Sequence, residues 1–315
     1  MPYSFVVWRR DRAFFIAIAK AVVFLCPRAE RRKKMVEKII EELRKVLGTE
    51  YSLRSEVVHR YNRLDLQLII EKKESGKHFI LSLNEYLITL ESKSMSLDMV
   101  VDALKEKILQ LKFPKELENV TNMRQKKFIL ANVQYQVLGT SNNFYYLQDL
   151  VKKPFLDLTV VYRVFVGSES SYLLKTEFLK QVGISMEELD SAAYQNGIRT
   201  GHSMVPIERF LDPESDEKCG IYVFKRKSWS YGANILLFPD YLMQCANRLH
   251  DDIILLPSSI HECVGISYTY SKMIGTEALQ ALVKDINERV VEPEDILSGS
   301  IYMYKKLDNE VVLIS

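Results

Sequence analysis

The sequence predicts an α+β fold, with mixed or antiparallel sheets, hairpins and packed helices, and no doubly wound parallel sheet. Three observations carry this expectation. Segments with helically spaced apolar residues alternate with segments of strand character. Several strand segments come in pairs across short polar turns, which marks hairpins and not βαβ crossovers. No Walker loop and no Gly-x-Gly-x-x-Gly is present, so the usual signals of a nucleotide-binding parallel sheet are missing.

The elements follow in order. Val36, Ile39, Ile40, Leu43, Val46 and Leu47 form a helical stripe over 35–47, and Gly48 stops it. Tyr51–Val58 and Leu64–Glu71 read as strands, the second alternating Leu64, Leu66, Leu68 and Ile70 with Asp65, Gln67 and Ile69. Ser82-Leu83-Asn84-Glu85 reads as a capping box for a helix to about Leu90, and Ser96 caps a longer helix through Leu111. Phe113-Pro114 closes that helix, and the polar stretch 115–125 is the linker candidate.

Phe128–Leu138 and Pro154–Phe165 read as strand-like runs. Ser185-Met186-Glu187-Glu188 is a capping box, with Ile184 and Leu189 placed as its hydrophobic staple. Ile221–Lys225 and Gly232–Phe238 read as a hairpin, and Pro239 opens a helix to about Leu249. Strands at Ile253–Leu256 and Cys263–Tyr268 flank a polar link. Thr276 caps a helix to about Val290, and a last hairpin joins Ile301–Tyr304 to Val311–Ile314. The expected organisation is a leader at 1–34, a small domain at 35–114 and a larger one at 126–315.

Composition narrows the function classes. Hydrophobic residues make up 47% and charged residues 27%, as in a globular protein. Cys26, Cys219, Cys245 and Cys263 lie far apart with no CxxC pair, which predicts reduced thiols in a cytoplasm and no zinc cage. The net charge of +2 hides an asymmetry. The first 34 residues carry most of the positive excess, and the rest of the chain is net acidic, so nucleic-acid binding is not advertised. Within the leader, the apolar run Phe14–Cys26, broken by Lys20, is shorter than the ~20 residues that span a hydrocarbon core. The preferred expectation is that Met35 is the natural start and residues 1–34 do not belong to the natural protein, with a basic anchor and an export signal as the alternatives.

A set of segments resembles a bacterial family designated domain of unknown function 5688. They are Leu83–Tyr86, Pro154–Tyr162, Gly183–Leu189, Gly232–Pro239, Leu256–Glu262 and Val291–Ser298. The resemblance spans about residues 35–315 and implies no reaction, substrate or cofactor. Gly265 interrupts the apolar run after the fifth segment, which puts the regularity of that strand in question.

The densest chemistry lies in Ser258-Ser259-Ile260-His261-Glu262. A hydrolase needs a nucleophile within reach of a base that a third group orients. Local geometry does not supply this, because Ser259 and His261 share a strand face while Glu262 points away. No Gly-x-Ser-x-Gly elbow is present. The preferred reading is a tight link whose hydroxyls satisfy turn amides. A metal would have to gather His59, His78, His202, His250 and His261 with carboxylates, and only His250-Asp251-Asp252 is a compact mixed cluster. Lys225, Lys227 and Trp229, with Arg226 and Tyr231, suggest a basic aromatic tip able to stack on single strands. The expected function is binding of a protein or small ligand, with no cofactor, no metal and no transmembrane segment. A hydrolase using Ser258 or Ser259, His261 and Glu262 is the alternative, and a nucleic-acid accessory role is the weaker one.

Overall fold

A computed structural model of the chain describes residues 27–74, 77–111, 123–141, 143–167, 170–211, 220–226 and 231–314. Most of the linker candidate and most of the leader fall outside these residues. The chain divides into two compact units, 1–58 with 64–113, and 59–63 with 114–315.

Among its described residues, the first unit packs three helices on one antiparallel sheet. Its helices are α1 (Pro27–Leu47), α2 (Asn84–Glu91) and α3 (Leu97–Gln110), and its sheet has the order β1 (Tyr51–Arg60), β2 (Arg63–Lys72), β3 (Lys77–Ser82). Helix α1 begins eight residues before Met35, with Pro27 at its first position, where the missing N–H costs nothing. Its apolar stripe buries Val36, Ile39, Ile40 and Leu43 against Leu68, Ile70, Leu87 and Leu104. Arg32 grips Glu91 through two bonds of 2.7 and 2.8 Å.

Ser96 caps α3 by accepting from the Met99 amide. Ser82 does not cap α2. Its hydroxyl donates to Asp65 at 2.5 Å, and Leu83 stands at the cap position without a side-chain bond. The Ser82 oxygen also accepts from the Asn84 amide at 3.4 Å, so Ser82 ties the neighbouring strand to the start of α2 without closing a capping box. Strand β3, which the sequence reading missed, supplies that geometry.

The second unit holds two antiparallel sheets. In the first, β6 (Leu158–Val166) pairs with β4 (Val133–Gly139) on one side, and with β5 (Lys152–Phe155) and β7 (Ser170–Leu173) on the other. The second has the order β13 (Glu310–Leu313), β12 (Tyr302–Lys305), β10 (Ile253–Leu256), β11 (Cys263–Ser267), β9 (Ile221–Arg226), β8 (His202–Pro206). The unit's helices are α4 (Lys126–Asn132), α5 (Phe144–Leu147), α6 (Thr176–Val182), α7 (Met186–Thr200), α8 (Glu208–Leu211), α9 (Pro239–Leu249), α10 (Tyr268–Ile274) and α11 (Thr276–Arg289). The α+β class with antiparallel sheets therefore stands as expected.

Several segments differ from the sequence reading for identifiable reasons. The run Phe128–Leu138 is two elements, because its first half buries Ile129 as a helix and only Val133 onward enters the ladder with β6. An apolar run of this length fits either period, and packing decides. The run Pro154–Phe165 is a hairpin that turns at Leu156, whose φ is 53°. Gly232–Leu237 is a 3-10 helix and not the partner of β9, which lies between β8 and β11 instead. Gly275, not Thr276, precedes α11 at the cap position. The box at Ser185 forms in full, with Glu188 returning a bond to the Ser185 amide at 3.1 Å, and Ile184 and Leu189 are both buried.

Strand β10 explains its unbroken apolar run by being covered on both faces. Ile253 and Leu255 enter the main core with Phe224, Cys263, Tyr302 and Tyr304. Ile254 and Leu256 enter a second cluster with Ile266, Leu279 and Val283 of α11. Gly265 leaves β11 regular, pairing with Leu255 and Tyr222.

Candidate functional site

The link Pro257–Glu262 leaves β10 after Leu256 and is stitched to a second loop, 292–298. The Ile260 amide donates to Asp295 O at 2.9 Å, and the Leu297 amide donates to Ser258 O at 2.9 Å. Ile260 itself is buried in the main core. The other side of the link supports the 3-10 helix, whose Gly232 amide donates to His261 O at 2.7 Å. The link is thus held from two directions by backbone bonds, and its side chains are oriented by them.

His261 has both ring nitrogens engaged. Nδ1 accepts from the Tyr231 amide at 3.3 Å, and Nε2 faces Asp295 Oδ1 at 3.3 Å. An acceptor at Nδ1 places the ring proton on Nε2, 3.3 Å from the carboxylate oxygen. The ring also lies 5.4 Å from that of Tyr231. The Ser259 hydroxyl accepts from the His261 amide at 3.0 Å, a local turn bond. Ser258 is buried. Glu262 is half-buried and bonds to none of the other three among the described residues. The four sequence-predicted residues are neighbours in the chain without forming a relay from serine to imidazole to carboxylate. The partner of His261 is Asp295, from a segment that drew notice only through the resemblance.

Of the basic tip, only Lys225, Arg226 and Tyr231 fall among the described residues. Arg226 is 2% exposed, with a guanidinium nitrogen on Gln134 and the guanidinium 5.5 Å from the Phe165 ring. Burial pulls its pKa down to about 10. Lys225 is half-buried on β9, while Lys227 and Trp229 lie outside the described residues. Tyr231 turns inward, between the His261 ring and the Arg163 guanidinium, which stands 4.7 Å from its ring.

The histidines do not assemble. Among the described residues no group of three or more His, Cys, Asp or Glu stands together. His59 stacks on Tyr145 at 4.7 Å. Asp251 and Asp252 accept backbone amides of Thr269 and Lys306, so the acidic pair beside His250 anchors loops. Cys245 and Cys263 are free and buried.

His202 is buried, with Nε2 on Asn234 Oδ1 at 2.8 Å. Burial pushes its pKa from 6.5 down to about 4. The unfolded chain takes up this proton near pH 6.5, and the folded chain only near 4. Stability should therefore fall as pH drops through that interval, by up to about 1.4 kcal/mol per pH unit from this group. Urea midpoints of the wild type and His202→Gln, measured from pH 7 to 4, should diverge in slope. Parallel slopes would contradict the assignment.

A second polar cluster escaped the sequence reading entirely. In the β4–β6 ladder Gln134 pairs with Arg163, and Tyr135 with Tyr162. Period-2 alternation puts Gln134, Gln136, Arg163 and Phe165 together on the face opposite the two tyrosines. Arg163 Nε donates to Gln136 Oε1 at 2.7 Å, and Nη1 donates to Ser171 at 2.8 Å. These residues are scattered over three strands, β4, β6 and β7, and no spacing in the chain announces them.

Among the described residues, no helix is long and apolar enough to cross a membrane. No curated protein and no solved structure matches the chain. One family model does, described as a family of unknown function, DUF5688, over residues 32–306. That match takes in both units, the Ser258–Glu262 link, Asp295 and the Arg163 cluster, and the chain belongs to this family.

Proposed function

We propose that the protein acts by binding and performs no serine chemistry at the 258–262 link. The observation that supports this is the state of His261. A general base needs a ring nitrogen free to take the proton of the nucleophile. Here one nitrogen accepts a backbone amide and the other faces Asp295. The Ser259 hydroxyl oxygen accepts from the His261 backbone amide and has no bond to the imidazole among the described residues. The residues that gave the link its reactive look serve to hold a loop against the 3-10 helix.

A fluorophosphonate probe tests this, because it labels only activated serines. The expected result is no labelling of Ser258 or Ser259, and the same spectrum of modified peptides for wild type and Ser259→Ala. Labelling of either serine that disappears in His261→Gln would establish the hydrolase reading instead.

A further inference from the structure

The two ring contacts of His261 respond in opposite ways to a proton. The Tyr231 amide donates to Nδ1 at 3.3 Å, and Nε2 stands 3.3 Å from Asp295 Oδ1. Nδ1 can accept only while its lone pair is free. A second proton on the ring must go to Nδ1, since Nε2 already carries one, and two N–H groups then face each other. Asp295 favours that same proton, because it turns a neutral contact into an ion pair. Imidazole is the side chain that ordinarily changes charge between about pH 5 and 8. His261 and Asp295 are 36% and 33% exposed, so solvent protons reach the pair.

What such a proton releases is confined to one peptide. Tyr231 stands at the cap of the 3-10 helix with φ 59°, a left-handed conformation disfavoured for a residue with a side chain. The bonds around it do not titrate. The Gly232 amide donates to His261 O at 2.7 Å, and the Ala233 amide donates to Ile260 O at 3.4 Å. The other charges near the ring act at longer range. Arg163 of β6 reaches it only through Tyr231, whose ring lies 4.7 Å from that guanidinium and 5.4 Å from the imidazole. Arg226 of β9 turns its guanidinium to Gln134 and Phe165, and Glu262 follows His261 in the link. Asp295, in direct contact, therefore determines where a charged ring stays.

We propose that His261 is a pH-sensitive latch on the entry to the 3-10 helix. The neutral ring holds the Tyr231 amide, and the protonated ring stays with Asp295 and lets that amide go. This rests on the reading of the 258–262 link as a non-catalytic scaffold and adds regulation of that same site.

Nuclear magnetic resonance of the full chain between pH 8 and pH 5 tests it. Hydrogen-exchange protection of the Tyr231 amide, corrected for the intrinsic rate at each pH, should fall about fivefold. The fall should share its midpoint with the His261 ring nitrogens, while protection of the Gly232 amide, bonded to a carbonyl, stays level. In His261→Asn an amide oxygen takes the place of Nδ1 without titrating, and the fall should disappear. Asp295→Asn removes the attraction for the charged ring and should move the midpoint about half a unit to lower pH. The two wild-type amides carry the test by themselves if a variant does not fold. The proposal is overturned if their protection ratio is constant from pH 8 to pH 5, if the fall persists in His261→Asn, or if Asp295→Asn leaves the midpoint unmoved. Serine labelling would overturn the non-catalytic reading whatever these amides do, and a constant ratio overturns the latch with both serines unlabelled.

Discussion

Replacing Gly232 with alanine is expected to cost the second unit about 3 kcal/mol, at the upper end of what overpacking does. The expectation follows from what surrounds the missing side chain. A Cβ at this position would stand 2.3 Å from His261 O, 3.0 Å from Arg226 N and 3.0 Å from Lys225 Cα. All three are backbone atoms, so no rotamer change relieves the clash. The chain would have to separate the 3-10 helix from the 258–262 link and break the 2.7 Å bond from the Gly232 amide to His261 O. The adjacent bond from the Tyr231 amide to His261 Nδ1 would loosen with it. Urea unfolding followed by circular dichroism would register a lower midpoint with an unchanged slope. The histidine ring resonances should shift together. A midpoint equal to that of the wild type would refute the close approach.

Phe224→Ala should be costlier still, about 4 kcal/mol, since this ring is fully buried in the main core. Its position also accounts for Gly265. A Cβ there would lie 2.0, 2.8 and 3.1 Å from three carbons of the Phe224 ring. Gly265→Ala alone should therefore destabilise by about 2 kcal/mol. In the Phe224→Ala background the same change meets a cavity instead of a ring, and its cost should largely vanish. The double variant is then markedly more stable than the sum of the single losses implies. Strict additivity in thermal or urea unfolding would show that the ring does not hold this glycine in place.

How far the fold could be read from the chain depended on the range of the forces involved. The helices α3, α7 and α9 announce themselves through Ser96, the Ser185–Glu188 box and Pro239, because capping is decided within a few residues. The hairpin β12–β13 and the strands around the 258–262 link were equally legible, since a short apolar run beside turn residues has few alternatives. Ser82 is the instructive failure. It has the local pattern of a cap, yet Asp65 from the neighbouring strand takes its hydroxyl. Gly232–Phe238 failed likewise: its apolar residues allow a strand, and only contact with His261 selects a 3-10 helix.

The site divides along the same line. Local patterning and composition were enough for the antiparallel α+β class and for the link between β10 and β11, in which Ser259 accepts a turn amide. Those properties arise from interactions between residues near in the chain. The pairing of His261 with Asp295, the burial of Arg226 and the setting of Arg163 among Gln136, Ser171 and Tyr231 arise from contacts between distant segments. A side chain's charge and hydrogen-bonding capacity are written in its type, but its partners are chosen by register and packing. For this protein that choice sets His261 beside a carboxylate from a distant loop and Arg163 beside neutral partners on two neighbouring strands.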